Sequence, residues 1–226
     1  MDEIAPQIFL KMPMSDLASI RSEYTKAILD IDSVHPNPIE QFKHWFNEAL
    51  EAKISEPTVM HLSTVNEFGR PSGRIVLLKG IEDSKFVFFT NYQSHKGKEL
   101  DKNPACALTF FWQELERQVR IEGVATRIDQ NRSDEYFQSR PRGSQIGAWA
   151  SPQSAVINDR SLLDKRVEEI TKRFEGKDSL PRPNQWGGYE IEPLMIEFWQ
   201  GRQSRLHDRV LYVKEESGWK ISLLAP

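Results

Sequence analysis

At Thr58 the apolar residues of this chain stop recurring at helical spacing and begin to alternate, and from there β segments outnumber helical ones. Thr58 to Val65 and Arg74 to Lys79 read as strands joined by a turn carrying Asn66 and Gly69-Arg70-Pro71, a hairpin signal. Lys85 to Thr90, Ala105 to Trp112 and Arg117 to Ile128 continue the pattern. In the last of these, Val119, Ile121 and Val124 are mostly set against Gln118, Arg120 and Glu122, so one face is buried and the other polar. Strands return at Tyr189 to Gln200, Arg209 to Val213 and Trp219 to Leu224, after a loop over Pro181 to Gly188. Three helical pieces stand together between the two β blocks: about Arg132 to Ser139, about Ser144 to Ala155, and Arg160 to Phe174. Helices and strands therefore do not alternate, which argues against a doubly wound parallel sheet. The expected fold is mainly β with flanking α-helices, a small antiparallel barrel with helices packed around it.

Ahead of the strands, Asn37 can cap a helix, Pro38 suits its first position, and Glu40 stands three residues after the cap. Ile39, Phe42, Trp45, Phe46, Ala49 and Leu50 then form one apolar stripe. Residues 1–36 read as an irregular arm with a short helix around Asp16 to Lys26, and residues 37–226 as a single domain. In the last predicted helix, Leu162, Leu163, Val167, Ile170 and Phe174 lie on one side, and Gly176 is placed to end it.

Composition narrows function by exclusion. A formal net charge of -3 gives no global attraction to nucleic acid or an anionic membrane, so any bound anion needs a local basic cluster. The single cysteine, Cys106, rules out an internal disulfide and a Cys-rich zinc site, and its strand context makes it a small core residue. The first residues lack the pattern of a signal peptide, and no apolar run approaches the ~20 residues that span a bilayer. A cytoplasmic protein is the expectation. The common dinucleotide, P-loop, zinc-protease and serine-hydrolase motifs are absent, and the five histidines show no paired ligand spacing, so no metal is expected. His207 and Asp208 are adjacent, and neighbouring strand residues face opposite ways, so they do not read as a triad fragment.

Three clusters remain. In an extended segment Arg205, His207 and Arg209 share one face, a cationic surface suited to a phosphate beside a polar ring. Ser139-Arg140-Pro141-Arg142-Gly143-Ser144 offers arginines, a hydroxyl and free backbone N–H groups at a helix start, with Tyr136 one turn earlier. Arg74 through Lys79, followed by Thr90 and Ser94-His95-Lys96, is the third; a regular strand would point Arg74 and Lys79 to opposite faces unless Lys79 lies past its end. The first two clusters read equally well as a solvated basic edge or turn, and in the third a lone lysine at a strand end reads first as solvated. The many aromatic residues, Phe86, Phe88, Phe89, Phe110, Phe111, Trp112, Trp149, Trp186 and Trp199 among them, are mostly core material with a few available to stack on a planar ligand. The residues alone describe a binder of phosphorylated planar molecules without metal, and leave open whether it catalyses anything.

Six segments in the same order resemble the pyridoxamine/pyridoxine 5'-phosphate oxidase family: residues 21–26, 74–79, 116–119, 139–149, 196–201 and 205–209, with the ending Leu224-Ala225-Pro226. The resemblance implies a split β-barrel homodimer with FMN at the subunit interface. It implies an oxidase of vitamin B6 metabolism that converts pyridoxamine 5'-phosphate and pyridoxine 5'-phosphate to pyridoxal 5'-phosphate, with dioxygen reoxidising the flavin to give hydrogen peroxide. By position, the FMN contacts would be Arg74, Ile75, Val76, Leu77, Leu78, Lys79, Phe89, Thr90, His95, Lys96, Gln118, Gln153, Ser154, Trp199 and Arg209. The substrate would meet Lys79, Tyr136, Arg140, Ser144, Arg205, Leu206 and His207, with Arg21 and Tyr24 in a covering N-terminal segment; Arg205 and His207 are the implied catalytic residues. His95 stands where the family has an arginine, and Phe89 where a tyrosine is common. A flavin reductase on the same barrel, or a non-catalytic pyridoxal phosphate carrier, would each explain only part of these residues.

Overall fold

The computed structural model describes residues 23–226. Helix α1 (Pro38–Glu51) begins where its caps place it, the Asn37 side chain accepting the Ile39 N–H at 2.9 Å with Pro38 in the first turn. Nine strands follow: β1 (Val59–Val65), β2 (Pro71–Leu77), β3 (Gly80–Glu82), β4 (Lys85–Asn91), β5 (Ala105–Trp112), β6 (Arg117–Arg127), β7 (Trp186–Gln200), β8 (Asp208–Glu215) and β9 (Gly218–Leu223). Four more helices are α2 (His95–Lys102), α3 (Gln130–Ser139), α4 (Arg142–Ala150) and α5 (Ser161–Arg173).

All strand pairs are antiparallel, and the sheet runs β2-β1-β5-β6-β7-β4-β3, with β8 on β7 and β9 on β8. That order dictates curvature. Flat, the two outermost strands of the seven would lie about 29 Å apart, six spacings of ~4.8 Å. Yet β2 and β3 are joined only by Leu78 and Lys79, a link able to span roughly 10 Å. The sheet must curl until its edges almost meet, leaving a seam at Lys79. That is a barrel split along one side.

Inside the curl lies an aromatic core. Phe42 is fully buried, with ring centroids 5.0 Å from Phe86, 5.0 Å from Phe110, 5.9 Å from Phe46 and 6.1 Å from Trp112. Phe42→Ala is expected to cost about 3–5 kcal/mol, the usual range for a buried phenylalanine, seen as a lower urea midpoint at unchanged slope. A second cluster of Phe137, Ile146, Phe174, Leu180 and Trp186 ties α3 and α4 to the start of β7.

The structure departs from the sequence reading in several places. The part of the expected 16–26 helix that falls within the described residues, 23–26, is not helical, and the rest lies outside them. Strand β7 begins at Trp186, inside the expected loop, and the helix expected over 144–155 is α4, which ends at Ala150. Helix α2 and strand β3 were not anticipated; each is short, and α2 has little apolar periodicity. Helix α5 forms, but Leu162 and Val167 on its stripe stay exposed, because α5 packs on α4 rather than on the barrel.

The largest correction concerns Arg205, His207 and Arg209. Gln203–Arg205 is a 3-10 turn, Ser204 and Arg205 both take left-handed φ (54° and 61°), and β8 starts only at Asp208. The three residues therefore do not share a strand face. Neither residue is a glycine or asparagine, so the sequence carries no sign of this turn, and such strain concentrates at functional sites.

Candidate functional site

A cavity of about 630 Å³ opens beside the barrel seam. It is lined by Ile75, Val76 and Leu77 from β2, Lys79 past its end, Phe89 and Thr90 from β4, and Lys96 from the first turn of α2. Tyr136, Arg140 and Ser144 from the α3–α4 corner and Gln153 join them. Two of the three sequence clusters thus meet. Asn91, Pro141, Gly147, Ala148, Ser151 and Trp186 complete the lining and were not foreseen. Trp186 falls in the stretch 181–188 that the sequence predicts as loop, and its local mark is an aromatic ahead of Gly187-Gly188.

Lys96 and Arg140 line this cavity below its exposed surface, and among the described residues neither has an ion-pair partner. Lys96 is buried, and its Nζ meets only neutral oxygens: Thr90 Oγ1 at 3.2 Å, and Ser94 Oγ and Gln153 Oε1 each at 3.4 Å. Burial pushes its pKa below the ordinary lysine value; nearby Arg74 adds to this, and Glu99 opposes it. Arg140 lies on the Trp186 indole, 4.5 Å from its centroid, and its Nη1 is buried without any hydrogen-bond partner. Burial lowers the Arg140 pKa as well, with Tyr136 acting the other way. A buried charge without a counter-charge, as on Lys96, and a buried donor left unpaired, as on Arg140, are both costly, so both groups suit an incoming anion.

Arg74 is placed differently. Its guanidinium turns to Glu99 on α2, Nη2 to Oε2 at 3.0 Å, and also donates to Ser72 and Thr64. Burial works against charge on Glu99, but hydrogen bonds from Thr64, Ser72 and Arg74 outweigh it and hold that carboxyl below the usual range. The network fixes α2, and with it Lys96, against β2. Leu78 has its side chain in the core. His95 and Ser154 line an adjoining cavity of about 470 Å³, which shares Asn91, Ser151 and Gln153 with the first.

The remaining predicted residues gather elsewhere. Gln118 on β6 is cross-strand to Trp199 on β7, and the Trp199 ring lies 4.5 Å from His207 and 5.9 Å from Tyr24. Arg205 and Leu206 are exposed on the turn above, and His207 and Arg209 edge a separate cavity of about 370 Å³. The Arg209 guanidinium pairs with buried Glu197 (Nε to Oε1, 2.8 Å), which also holds Arg120. The Arg202 N–H donates to His207 Nδ1 at 3.1 Å, so the ring proton sits on Nε2. Burial lowers the His207 pKa first, Arg205 adds to it, and Asp208 opposes it, which favours the neutral imidazole. Arg21 lies outside the described residues.

Glu116, unremarked in the sequence, ties this second group together. Its carboxylate accepts the Thr25 and Lys26 N–H groups at 2.8 and 3.0 Å, while its carbonyl accepts the Gly201 N–H at 2.7 Å. Tyr24 then rests on Gly201, where an added Cβ would stand 2.7 Å from the Tyr24 ring. Glu116→Ala is expected to speed amide exchange at Thr25 and Lys26 at least tenfold, since a hydrogen bond to a charged group contributes about 1.5–3 kcal/mol. Unchanged exchange would remove Glu116 as the anchor of this segment.

Among the described residues no helix is long and apolar enough to cross a membrane, and no group of three or more His, Cys, Asp or Glu is placed to hold a metal. Residues 46–174 match the family profile described as pyridoxamine 5'-phosphate oxidase, and residues 186–226 match the pyridoxine 5'-phosphate oxidase C-terminal dimerisation region. The pyridoxine/pyridoxamine 5'-phosphate oxidase of Burkholderia thailandensis is 57% identical over 216 residues, covering 94% of this chain and all of that protein. Among solved structures, PhzG from Burkholderia lata in complex with tetrahydrophenazine-1-carboxylic acid is 29% identical, with a TM-score of 0.84 over 91% of this chain and 100% of that one. An FMN-binding protein from Nostoc punctiforme, related to pyridoxamine 5'-phosphate oxidase, shares the fold, with a TM-score of 0.66 at 16% identity over 82% of this chain and 97% of its own. With its split barrel, its paired orphan cations and a homologue matched from end to end, the chain belongs to the pyridoxamine 5'-phosphate oxidase family.

Proposed function

We propose that the protein is an FMN-dependent oxidase that converts pyridoxamine 5'-phosphate and pyridoxine 5'-phosphate to pyridoxal 5'-phosphate. The observation that carries this reading is the pair of cations Lys96 and Arg140, which line one cavity and have no ion-pair partner among the described residues. Two separate phosphates, one on the cofactor and one on the substrate, would satisfy both. When bound, FMN supplies the hydride acceptor and the route for electrons to dioxygen. With the amine substrate, dioxygen and water are consumed and ammonia and hydrogen peroxide are released.

The chain's own task is placement. Lys96, with the hydroxyl of Thr90, would hold the cofactor phosphate, and the 75–77 backbone would run along the flavin. Arg140, Ser144, Tyr136 and Lys79 would hold the substrate phosphate. Arg205 and His207 would orient the substrate ring and its reacting carbon, with Tyr24 as cover. Neutral His207, a donor through Nε2, suits a polar substituent of that ring.

These roles require two protomers. Trp186 lies in the large cavity and Trp199, thirteen residues later on the same strand, lies with His207. Measured along β7 that separation is about 40 Å, far beyond the reach of one ligand. The match of residues 186–226 to a dimerisation region supports a homodimer in which Gln118, Trp199 and residues 205–207 complete the partner's cavity. Ile75 and Leu206, 61% and 69% exposed in the single chain, are apolar residues that such a partner would cover.

Aerobic peroxide release from FMN-loaded protein given pyridoxamine 5'-phosphate, with aldehyde absorbance followed in parallel, tests the reading. Peroxide matched by aldehyde supports it; bound flavin with neither product overturns it.

A further inference from the structure

We propose that Trp186 is a positioning residue for the substrate phosphate, acting through Arg140, and that it sets the preference for phosphorylated over unphosphorylated substrates. The inference rests on the function proposed above. It starts from a guanidinium with nowhere to put its charge. Among the described residues no carboxylate forms an ion pair with Arg140, and no hydrogen-bond acceptor meets its Nη1, an atom closed off from solvent. What lies against it is the face of Trp186 at 4.5 Å, with Phe137 at 5.7 Å.

An indole face attracts a cation without using any of its N–H donors. A carboxylate in the same place would neutralise Arg140 and occupy its fork, leaving nothing for a ligand. Trp186 therefore offsets part of the burial cost without spending the guanidinium's donors on a carboxylate, so its charge is left for a phosphate.

Trp186 is itself held rigidly. Its ring is nearly coplanar in orientation with Phe89 (11°, centroids 5.5 Å) and Tyr136 (5°, 6.2 Å), and these two stack on each other at 3.8 Å. Phe137 packs edge-on at 5.3 Å. Its carbonyl accepts from Arg182 Nη1 at 2.6 Å, and Arg182 is anchored in turn by Asp134. The indole plane is thus fixed by packing on one side and by backbone on the other. The guanidinium that rests on it inherits that orientation, which a flexible aliphatic side chain would not provide.

The test compares wild type, Trp186→Phe and Trp186→Leu, all FMN-loaded, on pyridoxamine 5'-phosphate and on unphosphorylated pyridoxamine. In the leucine variant the ratio of kcat/KM for the two substrates is expected to fall about tenfold, the size of a desolvated cation–π contact, mostly through KM for the phosphorylated substrate. The phenylalanine variant keeps a ring face and should recover most of the ratio. Calorimetric titration of inorganic phosphate into the same loaded proteins should weaken in the same order. Equal losses on both substrates would mean that the indole touches the substrate ring or merely supports the fold, and would overturn the proposal, as would an unchanged ratio. If wild type turns over neither substrate, the oxidase reading fails. The phosphate titration then decides the proposal alone: it stands on weaker binding in the leucine variant and falls on equal binding.

Discussion

Arg205→Leu should leave FMN content per protomer near that of wild type while kcat/KM for pyridoxamine 5'-phosphate falls by roughly 10²–10³, the range for losing a group that orients and polarises the reacting centre. The reason for so clean a separation is position. Arg205 lines neither the cavity that holds Lys96 and Arg140 nor the adjoining one that holds His95 and Ser154; it stands exposed on a turn whose neighbour, His207, is held by Trp199 and the Arg202 N–H. Being exposed, it contributes little to the core, so the substitution should change stability by less than about 0.5 kcal/mol. Turnover and flavin absorbance measured on one preparation check both halves. Normal turnover would remove Arg205 from the site.

Lys96→Met should do the reverse, emptying the protein of flavin while leaving the fold at least as stable. The ammonium is buried among neutral oxygens, and burial already lowers its pKa, so removing it relieves a cost in the free protein. For a phosphate ligand, a half-buried charge-assisted contact is lost, about 2–3 kcal/mol or on the order of 10² in FMN affinity. Flavin fluorescence during titration of the apoprotein gives the affinity, and a urea midpoint gives the stability. The pH dependence has a definite sign. Because the free Lys96 is depressed below the ordinary lysine value, its charge is lost sooner as pH rises, and FMN affinity should begin to fall at a lower pH than for an exposed lysine. The methionine variant should lack that fall. Wild-type affinity in the variant would sink the assignment.

Much of the fold was legible because its signals are local. Asn37-Pro38 marks a helix start by itself, and the alternation of Gln118 to Glu122 marks a strand whatever surrounds it. That Arg140 and Ser144 come to one corner was legible for the same reason, a short link between two helices, whereas Arg142 of the same cluster turns away to the Lys177 and Phe174 carbonyls. Where the reading failed, the cause was long-range. Arg74 was grouped with the cavity, yet Glu99, twenty-five residues on, takes its guanidinium. The left-handed turn at Ser204 and Arg205 has no turn residue to announce it. Trp186 and Glu116 act through partners that lie far away in sequence, Arg140 for one and the 25–26 backbone for the other. Nothing in their immediate neighbours distinguishes them from ordinary aromatic and acidic residues.

Strand β7 carries one cavity residue at its start and one member of the other group near its end. On the two-protomer arrangement proposed above, lesions in the two groups that this strand connects should complement each other. A Lys96→Met subunit keeps a sound 199–207 segment, and an Arg205→Leu subunit keeps a sound cavity. Mixed, unfolded and refolded together in equal amounts, two inactive preparations should recover roughly a quarter of wild-type activity, because half the random dimers are mixed and each mixed dimer assembles one intact site of two.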